Sequence, residues 1–475
     1  MKFLNREKRI AKAGKKEAGE IYSRFKKRDF SGNTGQAIKN STYQLTTTLI
    51  AKFGSLIFTI ILARMLMPDL FGLYSLALST ILIFAAFSDL GIGAALITFV
   101  SEKLGNKDYS KAKSYVLYLA KWKLVLNVVA SFVLFFSAYF VANFYYNKPI
   151  FFALLAGCLY LPAVIFVGFM EGIFQASNNF KFPLIKEIFF QLVRITLIPI
   201  TILYLLSPNV SISLFYIFLS LTICYFLTLI LELFLSSKFN YLRKEFSPLN
   251  FTEKNELNKF LIPLAAMALS GTFFGYIDTI MLGHYVTSEF IGYYSSALAL
   301  IGSALAIIGF SAAATFPIFS RLRGDQLSRG FKKTLLATAL IAILASMFTF
   351  VFSKQIILLI YGKAYLSEQI IFGNTVLASS FLLKLFSILI IIQAFSGLYQ
   401  SFYVSQKHTK RVSFLLIFST ILNIFLNWLF ISKGIQISLY AGAVGACVAT
   451  IISRGIYLMG LVWFKNIFSI KKFKS

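Results

Sequence analysis

The sequence predicts an all-α polytopic membrane protein of about 12 transmembrane helices, built as two homologous six-helix bundles around a central cavity. Three observations carry that expectation. The composition is too apolar for water, a seventeen-residue stretch occurs twice, and basic residues crowd alternate loops.

Of 475 residues, 58% are hydrophobic and 13% charged, with a mean hydropathy of +0.77. A soluble fold of this length cannot cover so much apolar surface, so hydrocarbon must be its solvent. Cys158, Cys224 and Cys447 all fall in apolar runs, which argues against a disulfide framework. The net charge of +28 fits positive-inside topology and contact with anionic lipids, and nucleic acid is not an expected partner. Residues 1–40 hold twelve Lys/Arg against four acids and no apolar core. They are expected to form a basic cytoplasmic tail, with an interfacial helix around Ile10–Phe30 and no cleavable signal peptide.

Apolar segments long enough to cross ~30 Å of hydrocarbon lie near 41–66, 73–100, 115–141, 150–170, 183–206, 211–235, 260–283, 291–319, 331–352, 370–395, 411–431 and 438–464. Pro162, Pro183 and Pro199 make 150–206 the hardest region to divide. With the N-terminus inside, the cytoplasmic segments carry 34 of the 46 Lys/Arg, and the outer loops only Lys148, Lys354, Lys363 and Lys433. That asymmetry puts both termini in the cytoplasm. The expected domains are a tail (1–40), a bundle (41–235), a linker (236–259), a second bundle (260–464) and a basic tail (465–475).

The repeat supports this division. LARMLMPDLFGLYSLAL from Leu62 to Leu78 returns 220 positions later as LGHYVTSEFIGYYSSAL, from Leu282 to Leu298. Leu62, Gly72, Tyr74, Ser75, Ala77 and Leu78 are identical in both copies. Ser101 to Gly105 recurs as Ser320 to Gly324, and Gly172 to Gln175 as Gly397 to Gln400, at nearly the same offset. Six spans return the chain to its starting side, so the halves are parallel repeats about an axis normal to the membrane. The repeated stretch is expected to be the outer corner of each half, with Gly72, Gly292, Tyr74 and Tyr294 as corner and core residues.

The ordered set Arg64-Met-Leu-Met-Pro68-Asp-Leu-Phe-Gly72-Leu-Tyr74, Asp89-Leu-Gly-Ile-Gly-Ala-Ala, Gly172-Ile-Phe-Gln-Ala and Tyr361-Gly-Lys-Ala-Tyr365 resembles the polysaccharide flippases of the multidrug/oligosaccharidyl-lipid/polysaccharide exporter superfamily. The resemblance runs from about residue 40 to 464. It implies a V-shaped pair of bundles that moves an undecaprenyl- or dolichyl-diphosphate-linked oligosaccharide from the inner to the outer leaflet of the cell membrane. The fourteen-span lipid II flippases carry two helices that this chain lacks, and the multidrug branch moves amphipathic cations on the same twelve-span plan.

Charges inside the spans bear on that choice. A Lys or Arg facing lipid at mid-span costs ~2.5–3.5 kcal/mol. Lys52, Arg194, Lys384 and Arg454 lie near mid-span and are expected to face a hydrated, substrate-binding cavity. Lys52 shares a polar stripe with Gln44, Thr48, Ser55 and Thr59, and Lys384 is flanked by Ser380 and Ser387. Arg194 either binds substrate or pairs locally with Glu187 through a face that includes Gln191, and Arg454 either lines the cavity or snorkels. Arg64 sits beside Asp69 at the outer end of its span, as a structural or headgroup residue. Asp89 and Asp278 are candidates for Na⁺ or H⁺ coupling, with Asp89 alternatively capping or pairing across the Gly91–Gly93 break. Cations at mid-span suit an anionic diphosphate.

No cofactor is expected beyond a coupling ion. His284, expected in a loop, and His408 lie near opposite membrane faces, and no Walker sequence is present. The chain is therefore expected not to be an enzyme. The alternatives kept open are a cation-coupled multidrug exporter and a membrane polymerase or ligase acting on lipid-linked sugars. Besides the lipid-linked substrate and anionic lipids, a glycan polymerase or glycosyltransferases are candidate partners of what is expected to be a monomer.

Overall fold

A computed structural model describes residues 32–472 apart from 322, 323, 372 and 407. The interfacial helix expected at Ile10–Phe30 lies outside the described residues. Among those described, ten stretches are long and apolar enough to cross a membrane. The first, Lys39–Gly105, has 67 residues, about 100 Å of helix at 1.5 Å per residue, and so makes two crossings. With α8 (Ser288–Arg321) the total is the expected twelve.

α1 (Gly32–Asp89) bends at Met67, whose φ of 59° and ψ of 170° leave the helical region just before Pro68. Proline lacks an N–H and disfavours helix in the residue before it, so the corner sits where the sequence puts its Pro-Asp pair. A second break at Leu90 (φ 40°) and Gly91 (φ 81°) separates α1 from α2 (Ile92–Gly105). α3 (Tyr109–Phe140), α4 (Phe151–Ala176), α5 (Lys181–Leu205) and α6 (Val210–Ser236) complete the first half. Pro162 lies within α4 and Pro199 within α5 without ending either helix.

α7 (Phe251–Tyr285) opens with a capping box between Asn250 and Glu253, so the helix begins inside the stretch expected as linker. His284 is in its last turn, not in a loop. α8, α9 (Gly324–Val351), α11 (Ala378–Ser405), α12 (Thr409–Ile435) and α13 (Leu439–Lys472) follow. Between α9 and α11 stand the short α10 (Ser353–Ile360) and a hairpin, β1 (Glu368–Ile371) with β2 (Asn374–Leu377), turning at Gly373. The hairpin starts the tenth span at Ala378, later than the 370 expected from hydropathy alone, because a short apolar strand reads like a helix end.

Lipid exposure inverts the usual amphipathic order. α3 buries Lys123, Asn127, Ala130, Leu134 and Ala138 along one face, while Phe132, Val133, Phe136 and Phe140 on the other are exposed. Small and polar side chains let neighbouring helices approach, and bulky apolar ones meet the hydrocarbon.

The two copies of the repeated stretch meet each other. A methyl group on Gly72 would lie 1.8 Å from the Ser288 carbonyl oxygen, and one on Gly292 would lie 1.9 Å from that of Pro68. Pro68 and Ser288 are themselves equivalent at the 220-residue offset, so the contact is reciprocal about a pseudo-two-fold axis. Around it one apolar core joins both halves, with Leu62, Leu66 and Leu73 beside Leu282, Ile291 and Tyr293. Towards the termini the core divides into separate clusters, one around Phe99 and Ile173 and another around Phe331 and Val412.

Polar contacts fasten the same corner end. Arg64 Nε donates to the Ile360 carbonyl (2.7 Å) and its Nη2 to that of Leu359. Tyr365 OH donates to the Ala63 carbonyl at 2.9 Å. Lys148 Nζ reaches the Gly283 carbonyl at 2.6 Å, and burial lowers its pKa to about 8. His284 stacks on Tyr145 and places Nδ1 2.6 Å from that residue's carbonyl oxygen. Arg64 therefore does not pair with Asp69, which accepts instead from Ser288.

Gly292→Val should lower stability by about 1–3 kcal/mol, the usual effect of overfilling a close contact. Gly271→Ala, where an added methyl meets nothing within 4 Å, should leave it unchanged. Thermal unfolding in detergent checks this, and equal midpoints for the two variants would refute the contact's role.

Candidate functional site: a cationic cavity and a caged carboxylate

In the first half, α5 brings three charged side chains to one cavity. Lys186, Glu187, Phe190, Gln191 and Arg194 face Ala51, Lys52 and Ser55 of α1, Val167 of α4 and Tyr225 of α6, enclosing a cavity of about 260 Å³. Two of the four cations expected at a site, Lys52 and Arg194, are thus brought together, and Lys186 joins them. Arg194 lies over the rings of Phe58 (4.2 Å) and Phe190 (4.9 Å) and donates Nη2–H to Gln191 Oε1 at 2.7 Å. Its Nε is buried with no hydrogen-bond partner among the described residues.

The expected local pair of Glu187 with Arg194 does not form. Gln191 stands between them, one turn from each, and gives its own N–H to Glu187 at 2.6 Å. Glu187 pairs with Lys186 instead (3.1 Å), and Lys186 also reaches Glu171 of α4 at 2.8 Å.

In the second half Asp278 is buried and fully engaged. Its carboxylate accepts from Asn427 Nδ2 (2.5 Å), Thr450 Oγ1 (2.6 Å) and Tyr294 OH (2.9 Å), which come from α12, α13 and α8. The amide oxygens of Asn427 and Asn423 are buried without hydrogen-bond partners among the described residues. Arg454 lies over Phe274 (4.6 Å) and donates to its carbonyl at 3.1 Å, one turn before Asp278, so it is held within protein and does not snorkel.

The remaining candidates stand apart. Asp89 pairs with Lys123 of α3 at 2.5 Å, beside the helix break. Lys384 is exposed on α11, whereas Ser380 and Ser387, on the same helical stripe, are buried. Ser380 bonds Ser353 and Ser387 bonds the Lys384 carbonyl.

Sequence reasoning missed Lys186, Lys123 and the cage around Asp278. Lys186 and Lys123 stood near the ends of their spans, where a cation can ordinarily reach headgroups. The available signals were Glu187 beside Lys186 and the four-residue spacing of Lys123 from Asn127, which puts two polar groups on one face. Tyr294, expected as a corner and core residue, also turns its hydroxyl to the carboxylate.

The sequence profile of the family described as polysaccharide biosynthesis protein matches residues 37–323, more than half of the chain. The chain belongs to that family. A second profile, MatE, matches residues 263–429 of this family member. An uncharacterized membrane protein of Methanocaldococcus jannaschii is 24% identical over 439 residues, covering 89% of this chain and 96% of the relative. Among solved structures, an inward-facing multidrug resistance MATE transporter of the MOP superfamily superposes with a TM-score of 0.69 at 15% identity, over 91% of this chain and 99% of that one. The lipid II flippase MurJ in an inward closed conformation superposes with a TM-score of 0.64 at 13% identity, over 90% and 87%. This polysaccharide biosynthesis family member is therefore a multi-pass membrane protein with the two-lobed transporter fold.

The Asp89–Lys123 pair is unequal. Lys123 is 3% exposed and the Asp89 side chain 37%. Asp89→Asn strands a buried ammonium, whereas Lys123→Met leaves a carboxylate that water can reach. Thermal unfolding should therefore show the larger loss, several degrees, for Asp89→Asn; the opposite order would overturn this reading.

Proposed function

We propose that the chain is a flippase that carries a lipid-diphosphate-linked oligosaccharide from the inner to the outer leaflet by alternating access, without converting it chemically. The observation that carries this reading is Arg194, a guanidinium with an unpartnered buried Nε–H in a cavity with Lys52 and Lys186. A diphosphate oxygen could take that donor as a charge-assisted hydrogen bond, stronger in a low-dielectric wall than in water. Tyr225 in the same wall offers an aromatic surface to sugar. The prenyl tail would stay in lipid. Membership of the polysaccharide biosynthesis family supports a glycan substrate.

In this reading the corner end faces outward and both termini are cytoplasmic, in the cell membrane. The Arg64, Tyr365, Lys148 and His284 contacts hold the outer side closed and must part before release. Asp278 is the coupling group. Turning the Asn427 amide would present its oxygen beside the carboxylate, giving Na⁺ an oxygen cage, and a proton would serve equally by neutralising Asp278. A second reading, export of an organic cation, is favoured by Glu187 in the cavity wall.

In proteoliposomes carrying a lipid-linked diphosphate sugar, Lys52→Ala and Arg194→Ala should each lower the flipping rate about tenfold, as loss of one charged hydrogen bond does. Inorganic pyrophosphate should inhibit. Full activity in the double variant, or inhibition by tetraphenylphosphonium in place of pyrophosphate, would favour the cation exporter. Asp278→Asn should abolish the dependence of flipping on a Na⁺ or pH gradient, and an unaltered dependence on both would remove Asp278 from coupling.

A further inference from the structure

One buried acid has no part in the cavity or in the cage. Glu232 of α6 is fully buried, and neither carboxyl oxygen has a hydrogen-bond partner among the described residues. The charged groups around it are Lys186 and Glu187 of α5 and Glu171 of α4. Lys186 already serves both other acids, at 2.8 Å to Glu171 and 3.1 Å to Glu187. Those two also have amide donors, Gln175 for Glu171 at 3.1 Å and Gln191 for Glu187 at 2.6 Å. Three carboxylates therefore share one ammonium, and only Glu232 lacks any donor. A carboxylate left so would keep the full penalty of an unpaired buried charge.

We propose that Glu232 is a proton-binding site of the first half, occupied in this conformation and emptied when Lys186 is free to turn to it. α4, α5 and α6 each contribute a charge to the cluster, so sliding α5 against α6 changes which acid the ammonium serves. Lys186 also lines the cavity. An anion that drew Lys186 inward would strip Glu171 and Glu187 of their partner and bring protons onto the acids behind it. Anion binding and proton uptake then reinforce one another, as linkage requires. The occupancy of this site depends on burial and on where Lys186 points, not on the flippase reading, which bears only on its use.

The test is infrared spectroscopy of the full-length protein in lipid nanodiscs, titrated from pH 5 to pH 11. A protonated-carboxyl C=O band should be present at pH 7, lost in Glu232→Gln and kept in Asp278→Asn. Gln copies the protonated acid in shape, so thermal stability of that variant should match wild type. Lys186→Met, which removes the one ammonium, should move the band's titration midpoint upward by about one pH unit or more. A band of undiminished intensity in Glu232→Gln, or a midpoint indifferent to Lys186→Met, would overturn the proposal. Absence of flipping with the band still assigned to Glu232 would remove the flippase reading and leave the proton site standing.

Discussion

Hydrocarbon cannot solvate a charge, and that constraint decides which helices of this chain touch. Lys123 needs Asp89, and the pair ties α3 to the break after α1. Lys186 needs Glu171 and ties α5 to α4. Asp278 draws donors from α8, α12 and α13. Apolar surface is no guide to helix association when the solvent is equally apolar, so these few polar contacts, with close approach at glycine, set the order of the bundle. The outward faces are free to be uniformly bulky, as the phenylalanines of α3 show.

The halves share a plan but not a chemistry. At the 220-residue offset Asp278 corresponds to Phe58. In one half that position is a ring under the Arg194 guanidinium, and in the other a carboxylate in a hydroxyl and amide cage. Duplication supplied two equivalent scaffolds, and the side chains on them make one lined by guanidinium and ammonium groups and the other by a carboxylate. A rigid movement of one half against the other would then present both sites to the same compartment in turn.

Much of the fold was legible because membrane crossing is a matter of length and composition. Twelve spans, the two halves and the Pro68 corner all follow from runs of apolar residues and one repeat. Where the sequence misled, the cause was local ambiguity. Ile370 and Ile371 are apolar whether they extend a helix or form a strand, and only the pairing with Asn374 and Thr375 distinguishes the two. The site was legible in part. A charge within a span declares itself, so Lys52 and Arg194 near mid-span and Asp278 nearer the outer end stood out. Lys186 did not, because its burial depends on how α4 and α6 close over α5. Arg194 with Glu187 is a reasonable pair by spacing, and the bridging of the two by Gln191 is a matter of rotamers that spacing does not contain.

The fastening at the corner end has an evolutionary corollary. Arg64, Tyr365, Lys148 and His284 all grip main-chain oxygens: those of Ile360, Ala63, Gly283 and Tyr145. A main-chain oxygen is present whatever side chain its residue carries, so these hydrogen bonds do not themselves fix Ile360 or Ala63, whereas Gly283 has no room for a Cβ and Tyr145 also stacks on His284. Lineages could diverge until few identities remain and still keep these contacts, with selection bearing on the four gripping side chains and on the receiving residues that packing constrains.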